Sequence, residues 1–358
     1  MQDSTAVIPF GPHNTAFFET IQINLRLDDE SVQQADFVTG YSTRHVETII
    51  EAIDYKQALL VVERICGICS FFHSVAYCSA IERIKGIEVP VRGKFLRIIW
   101  CELQRIQNHY LWLSLTADAI GFESVSALML QAREHIMDIL MLTAGGRVIL
   151  PVNTIGGVKK DISDEVLAVI MIQIKNLQKT CGLMQTIFYN DYIIKKRLQG
   201  VGVLSPMAAK ELGAVGPAAR AAGIKTDMRQ YDDLYNKLGF ECVGDTAGDA
   251  YSRIIVRIKE IEQSIEIIKN AISNIPCGET GIAVKGMITG ETTFCLEQPE
   301  GKLEYYVAGK NRSIKEIKIC TASDSNFKAL HYILQGSKFC DVPLIFMSMG
   351  MCVACLDK

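Results

Sequence analysis

Two cysteines stand three residues apart in the stretch Arg64-Ile65-Cys66-Gly67-Ile68-Cys69-Ser70-Phe71-Phe72-His73, and an imidazole follows four residues after the second thiol. At that spacing both sulfurs can reach one metal ion from a single turn. A second pair, Cys352-Val353-Ala354-Cys355, lies close to the other end of the 358-residue chain. One such pair is a weak signal. Two pairs, one early and one late, imply a fold that brings distant loops together into a four-thiolate site. Zinc, an iron-sulfur cluster and a nickel-iron centre all accept soft thiolates, and spacing does not choose among them. A zinc ribbon normally has its two knuckles close in sequence. Here nearly the whole chain separates them, which favours a buried site in the core of a large domain.

The segments between the pairs must position them. Residues 5–40 alternate apolar and polar groups and read as a small antiparallel sheet, with Gly11-Pro12 marking a loop. The period then changes to a helical one. Helices are expected over His45–Ala58, Tyr55–Ile65, Phe72–Lys85, 92–121 and 123–144, the last stopped by Gly145-Gly146. Two more long helices are expected over Asp161–Tyr189 and Ala250–Ile275. The first of these crowds acidic groups into its opening turn, where they favour the helix dipole. Residues 285–320 turn β-like again, and the apolar run Pro343–Met347 carries the terminal thiols inward. The fold class is therefore mainly α with small antiparallel β regions. A long-helix bundle forms the core, with N- and C-terminal loops meeting at a buried metal site. No linker is evident, so residues 1–358 read as a single domain: an N-terminal β region (1–40), a helical core (41–280), and a β segment with the C-terminal metal loop (281–358).

Composition narrows the function classes. Hydrophobic residues make up 49% and charged residues 22%, as in a folded globular chain. The net charge of -3 offers no broad basic surface, so no nucleic-acid partner is expected. The N-terminus has no signal-peptide pattern and no apolar run is long enough to span a bilayer. The other eight of the twelve cysteines (Cys78, Cys101, Cys181, Cys242, Cys277, Cys295, Cys320, Cys340) have no partner at ligand spacing. They are expected to be small buried apolar residues.

Residues 64–74 resemble the first metal motif of nickel-iron hydrogenase large subunits. The resemblance is closest to the energy-converting, membrane-associated group related to the 49-kDa subunit of respiratory complex I, the NADH-quinone oxidoreductase. It extends over almost the full chain. It includes Pro9-Phe10-Gly11-Pro12, Gly40-Tyr41 with Arg44 and Glu47, Glu102–Ile106 with His109, Arg133–Asp138, Ile155–Val158 with Asp161, Gly213–Arg229, and Gly248–Ala250 with Arg253. The terminal thiol pair resembles the second metal motif.

The resemblance implies a nickel-iron centre held by Cys66, Cys69, Cys352 and Cys355, with carbon monoxide and cyanide on the iron. By motif position, Cys69 and Cys355 are the bridging sulfurs, and Cys66 and Cys352 are terminal on nickel. It implies heterolytic cleavage of hydrogen or its reverse, with Cys352 as a candidate base and Glu47 as a candidate proton relay. Glu47 is also a candidate metal ligand, with a magnesium ion near it. His73 and Arg64 are candidate cofactor-binding residues. The implied partners are an iron-sulfur small subunit, a ferredoxin-like electron-transfer subunit and membrane ion-pumping subunits. The implied location is the cytoplasmic side of the cell membrane, held there peripherally by partner subunits.

The chain departs from the family pattern at two places near the site. Pro299-Glu300-Gly301 stands where the family has Pro-Arg-Gly, which exchanges a guanidinium for a carboxylate and makes Glu300 a third candidate catalytic residue. Gly350-Met351 stands where the family has Asp-Pro. Two other readings fit the same fold: a complex I-like subunit that reduces quinone, and a non-catalytic paralogue that serves as a scaffold.

Overall fold

A computed structural model describes residues 6–17 and 19–358 of the chain. The N-terminal sheet has the order β1 (Ala6–Phe10), β2 (Gln22–Asp28), β3 (Ser31–Val38), all antiparallel. Residue 5, at the start of the expected alternation, and Phe18 within it lie outside the described residues. The alternation has the expected consequence. Ile23, Leu25, Leu27, Val32 and Ala35 point to one buried face, and the polar residues between them point away.

The helix expected from His45 to Ala58 is broken into α1 (Val46–Glu51) and α2 (Ala58–Val62). The intervening turn is held by Tyr55 N–H donating to Arg312 C=O at 2.9 Å, so a tertiary bond replaces the helical one. Then come α3 (Ser70–Lys85), α4 (Val91–Ala119) and α5 (Glu123–Ala144). The two-residue strands β4 (Asn153–Thr154) and β5 (Gly157–Val158) pair with each other. In α6 (Asp164–Asn190) Ser163 caps the start by accepting from Val166 N–H, and Asp164 and Glu165 fill the first turn as expected.

Short helices unmarked by the sequence pattern follow: α7 (Tyr192–Leu198), α8 (Pro206–Glu211), α9 (Gly216–Ala221), a 3-10 turn (Met228–Tyr231) and α10 (Asp233–Lys237). Next is the long α11 (Ala250–Asn274), capped by Asp249. The second sheet is β6 (Ile288–Gln298), β7 (Gly301–Asn311) and β8 (Ser313–Cys320), antiparallel in chain order. The chain closes with α12 (Ala322–Leu334), a 3-10 turn (Phe339–Asp341), α13 (Val342–Met349) and α14 (Val353–Leu356).

Two apolar clusters hold these elements. The larger joins α3, α4, α5, α6, α11 and β7. The smaller packs the inner face of the N-terminal sheet on α12 and α13. Isoleucines 254, 258, 261, 265 and 268 of α11 are each at most 1% exposed. Each contributes about 1.5–3 kcal/mol by burial. Both thiol loops lie deep in this structure.

The expectation for the eight spare cysteines needs correction. Cys78, Cys101 and Cys181 are buried, Cys242 and Cys295 are half-buried, and Cys277, Cys320 and Cys340 are exposed. Strand parity decides Cys320: Ile317 and Ile319 take the inward positions of β8, which turns the next side chain out.

Candidate metal centre

The two thiol loops meet in register. Cys66 Sγ lies 3.4 Å from Cys352 Sγ and Cys69 Sγ lies 3.7 Å from Cys355 Sγ, and both pairs join residues 286 apart. These distances are far beyond a disulfide bond. All four thiols are at most 2% exposed. The sulfurs of Cys66, Cys69 and Cys355 lie within 4.8 Å of one another, as ligands of one ion must.

Each loop is aimed by its flanking element. Cys69 is the residue before α3, and Phe72 N–H already bonds to its carbonyl at 3.1 Å. Its sulfur therefore stands beside a helix N-terminus, although Cys66 and burial push this thiol well above its ordinary range. Helix α4 supports the same loop with a stripe at helical spacing. Gln104 Oε1 accepts from Phe71 N–H at 2.9 Å, and Gln107 Nε2 donates to Ile68 C=O at 2.7 Å. The late loop is tied by Ser323 Oγ, which accepts from Cys352 N–H at 3.0 Å, and by Asp357, whose oxygens accept from Gly40 and Ser42 N–H at 2.8 and 3.1 Å. Arg44 clamps both loops: Nη1 donates to Arg64 C=O at 3.0 Å and Nη2 to Ala354 C=O at 2.7 Å.

Four buried thiols this close cannot all ionise. Hydrogen bonds from Cys352, Cys355 and Cys69 hold the Cys66 thiol well below its ordinary range. Bonds to Cys355 and Cys66, together with burial, push Cys352 well above its range. A cation at the centre reverses this, because coordinated thiols lose their protons. The donor set therefore fits a thiophilic metal: three buried sulfurs close enough to share one ion, with Cys352 Sγ beside them 3.4 Å from Cys66 Sγ.

His73 is fully buried. Its Nδ1 lies 2.8 Å from Tyr305 Oη and its Nε2 lies 3.6 Å from Cys355 Sγ. Burial pulls the imidazole down to about 4 and drives the Tyr305 phenol well above its ordinary value, so both are neutral near pH 7. Tyr305 then donates to Nδ1, which leaves the Nε2 proton aimed at the Cys355 sulfur.

The expected residues divide. Cys66, Cys69, Cys352, Cys355 and His73 come together. Glu47 does not contact the thiols: Oε1 accepts from Ile319 N–H of β8 at 2.8 Å and Oε2 lies 3.9 Å from Lys318 Nζ. Arg64 turns outward, its side chain 58% exposed and donating to Leu60 C=O at 2.5 Å. Only its carbonyl serves the site, through Arg44.

Glu300 is buried against α4. Its Oε1 accepts from Asn108 Nδ2 at 2.5 Å and from Trp112 Nε1 at 3.3 Å. Burial, then the negative charge of Cys66, raises it to about 7. The turn that carries it sits against Gly216 (φ +66°), where any side chain would collide with Glu300 C=O.

One carboxylate at the thiols is absent from the expected set. Glu19 accepts from Val353 N–H and, at 3.1 Å, from Ala354 N–H, and its Oε1 is 3.9 Å from Cys352 Sγ. Burial, then Cys66, lifts it to about 7. The signal that could have found it is a glutamate seven residues after Gly11-Pro12, in a segment otherwise read as strand.

The description "Respiratory-chain NADH dehydrogenase, 49 Kd subunit" matches residues 119–289 and 282–358, and "Nickel-dependent hydrogenase" matches residues 44–117. The chain is 34% identical to the membrane-bound hydrogenase subunit alpha of Pyrococcus furiosus, over 98% of this chain and 87% of that one. It is 32% identical to an NADH-quinone oxidoreductase subunit of Solibacter usitatus, over 99% and 98%. A solved chain of the membrane-bound sulfane sulfur reductase, an archaeal respiratory membrane complex, superposes with a TM-score of 0.95 at 27% identity and full coverage of both chains.

Proposed function

This chain belongs to the family that unites nickel-dependent hydrogenases with the 49-kDa subunits of respiratory NADH dehydrogenase, and we propose that within it the protein is the catalytic large subunit of a membrane-bound nickel-iron hydrogenase. The observation that carries this reading is the closure of four thiols from opposite ends of the chain into one buried cluster, with gaps of 3.4 and 3.7 Å. Cys66, Cys69, Cys352 and Cys355 would hold a nickel-iron centre, its iron carrying carbon monoxide and cyanide. Bound there, the metal pair would supply the electron-pair acceptor against which hydrogen is split.

The chain's own residues would handle the proton. Cys352 is placed to hold it on sulfur, and Glu19, 3.9 Å away, to take it on. The two backbone N–H groups that Glu19 accepts from fix its carboxylate in that position. His73 would steady Cys355 through its Nε2 proton. On this reading Glu19, rather than Glu47, is the relay carboxylate, because Glu47 is engaged by β8.

Electrons would pass to an iron-sulfur small subunit and a ferredoxin-like subunit, with membrane subunits moving ions. The membrane-complex setting of the relatives supports such partners, and with them the chain would sit peripherally on the cytoplasmic face of the membrane. Among the described residues no helix is long and apolar enough to cross a membrane.

Glu300, with Gly350 and Met351, departs from the family pattern and favours a second reading, in which the chain is a non-catalytic scaffold in such a complex. One comparison separates them: hydrogen turnover by the purified native complex against the same complex carrying Cys69→Ser and Cys355→Ser. The hydrogenase reading predicts turnover in the native complex and its loss in the variant. Equal activity in the two, or none in either, would refute it.

A further inference from the structure

Helix α11 brings two arginines, one turn apart, into the core beside the late thiol loop. Arg253 is fully used. Its Nε and Nη2 donate to Ser348 Oγ at 3.1 and 2.9 Å, and Nη1 donates to the carbonyls of Gly202 and Gly248. Arg257 is not. Its Nη1 donates to Arg253 C=O at 3.1 Å, while Nε and Nη2 are buried without a partner among the described residues. Its head group lies against Gly350: a Cβ there would collide with Nη2 and stand 3.7 Å from Trp112 Cδ2.

The same Trp112 donates to Glu300 Oε1, and Glu300 Oε2 is also buried without a partner. Glu260, the other carboxylate whose charge acts on Arg257, is already committed, Oε1 to Arg220 and Oε2 to His109. Glu300 Oε2 is thus an open acceptor within the field of a guanidinium with two open donors, and the two residues are 3% and 2% exposed. Buried charges left uncompensated are strongly destabilising, so each needs the other.

We infer that Arg257 and Glu300 act as one charge pair across Trp112, and that the pair seats the Gly350-Met351 turn presenting Cys352. Arg257 is thereby a positioning residue of the thiol site. Gly350 (φ +72°) lacks a side chain because the guanidinium occupies that space. The consequence for chemistry rests on the hydrogenase reading; the pair itself is read from geometry.

Conservative variants give the test. The intact complex is prepared as native, E300Q, R257Q, R257K and E300Q/R257Q. The rate at which N-ethylmaleimide labels Cys352 is read by peptide mass spectrometry. E300Q and R257Q are each expected to speed labelling roughly tenfold, and the double variant to be no faster than the faster single. R257K, which keeps the positive charge, is expected to label more slowly than R257Q.

Multiplicative effects in the double variant would overturn the inference. So would an R257K variant that labels as fast as R257Q in a complex that melts at the native temperature. Should E300Q not assemble, Glu300→Asp takes its place, with a smaller acceleration expected and none overturning the idea. A nickel-free native complex would refute the hydrogenase reading and leave this comparison intact, because it is read on the thiol itself.

Discussion

Glu19 is the side chain through which a proton on Cys352 would leave the sulfur cluster. Its carboxylate stands 3.9 Å from that thiol and is pinned by two N–H groups of the loop it serves. Glu19→Gln keeps the shape and one acceptor but removes the base. Positioned acid–base groups are worth roughly 10²–10⁴-fold, and turnover should fall by that factor with nickel content unchanged. Hydrogen turnover and metal analysis on the same preparation check it, and an undiminished rate would remove Glu19 from the mechanism. At this scale the thiols and His73 were legible, since ligand spacing and soft donors identify themselves. Glu19 was not, because one glutamate in an alternating segment looks like any outward strand residue. The engagement of Glu47 was not legible either: motif position makes it a candidate near the metal, and the docking of β8 on α1 has its carboxylate accepting from Ile319 N–H.

At the scale of elements, the site depends on α4 and α11 holding a fixed spacing. Helix α4 is buried around nearly its whole circumference and serves two ends of the site, Gln104 and Gln107 at the first thiol loop and Asn108 and Trp112 at Glu300. A buried ion network locks it to α11. Glu102 accepts from Ser264 Oγ at 2.6 Å and Tyr235 Oη at 2.8 Å, and lies 3.1 and 3.3 Å from Arg105 and Arg229. Burial alone would raise Glu102, but the two guanidiniums and the two hydroxyls outweigh it and hold the acid below its usual range. Its contribution to stability is therefore complete above the ordinary carboxylate value and is lost as pH falls through the lowered one. Glu102→Ala leaves two buried cations short of an anion and should cost about 3–5 kcal/mol. Chemical denaturation monitored at neutral pH checks this, and a loss under about 1 kcal/mol would show the network to be dispensable. The long helices were legible from their 3.6-residue period and the sheets from alternation. The short helices between residues 190 and 240 were not, since five or six residues carry too little periodic signal and form through tertiary packing.

At the scale of the whole molecule, the fold is a device for bringing residue 66 to residue 352 and residue 69 to residue 355. No local property of the chain encodes that meeting. It follows from the stacking of α12 and α13 on the N-terminal sheet, from Asp357 bonding to Gly40 and Ser42, and from Arg44 spanning both loops. The sequence could propose it only because two equal thiol spacings and a family resemblance pointed the same way. The exposed Cys277, Cys320 and Cys340 show the limit of reasoning from residue type alone, since position within an element decided their burial. The most direct measurement is nickel-edge X-ray absorption on the purified native complex, paired with the Cys69→Ser/Cys355→Ser variant. Nickel surrounded by four sulfurs is expected in the native complex, with that shell lost in the variant. A native complex without nickel, or nickel in a shell of nitrogen and oxygen, would contradict it.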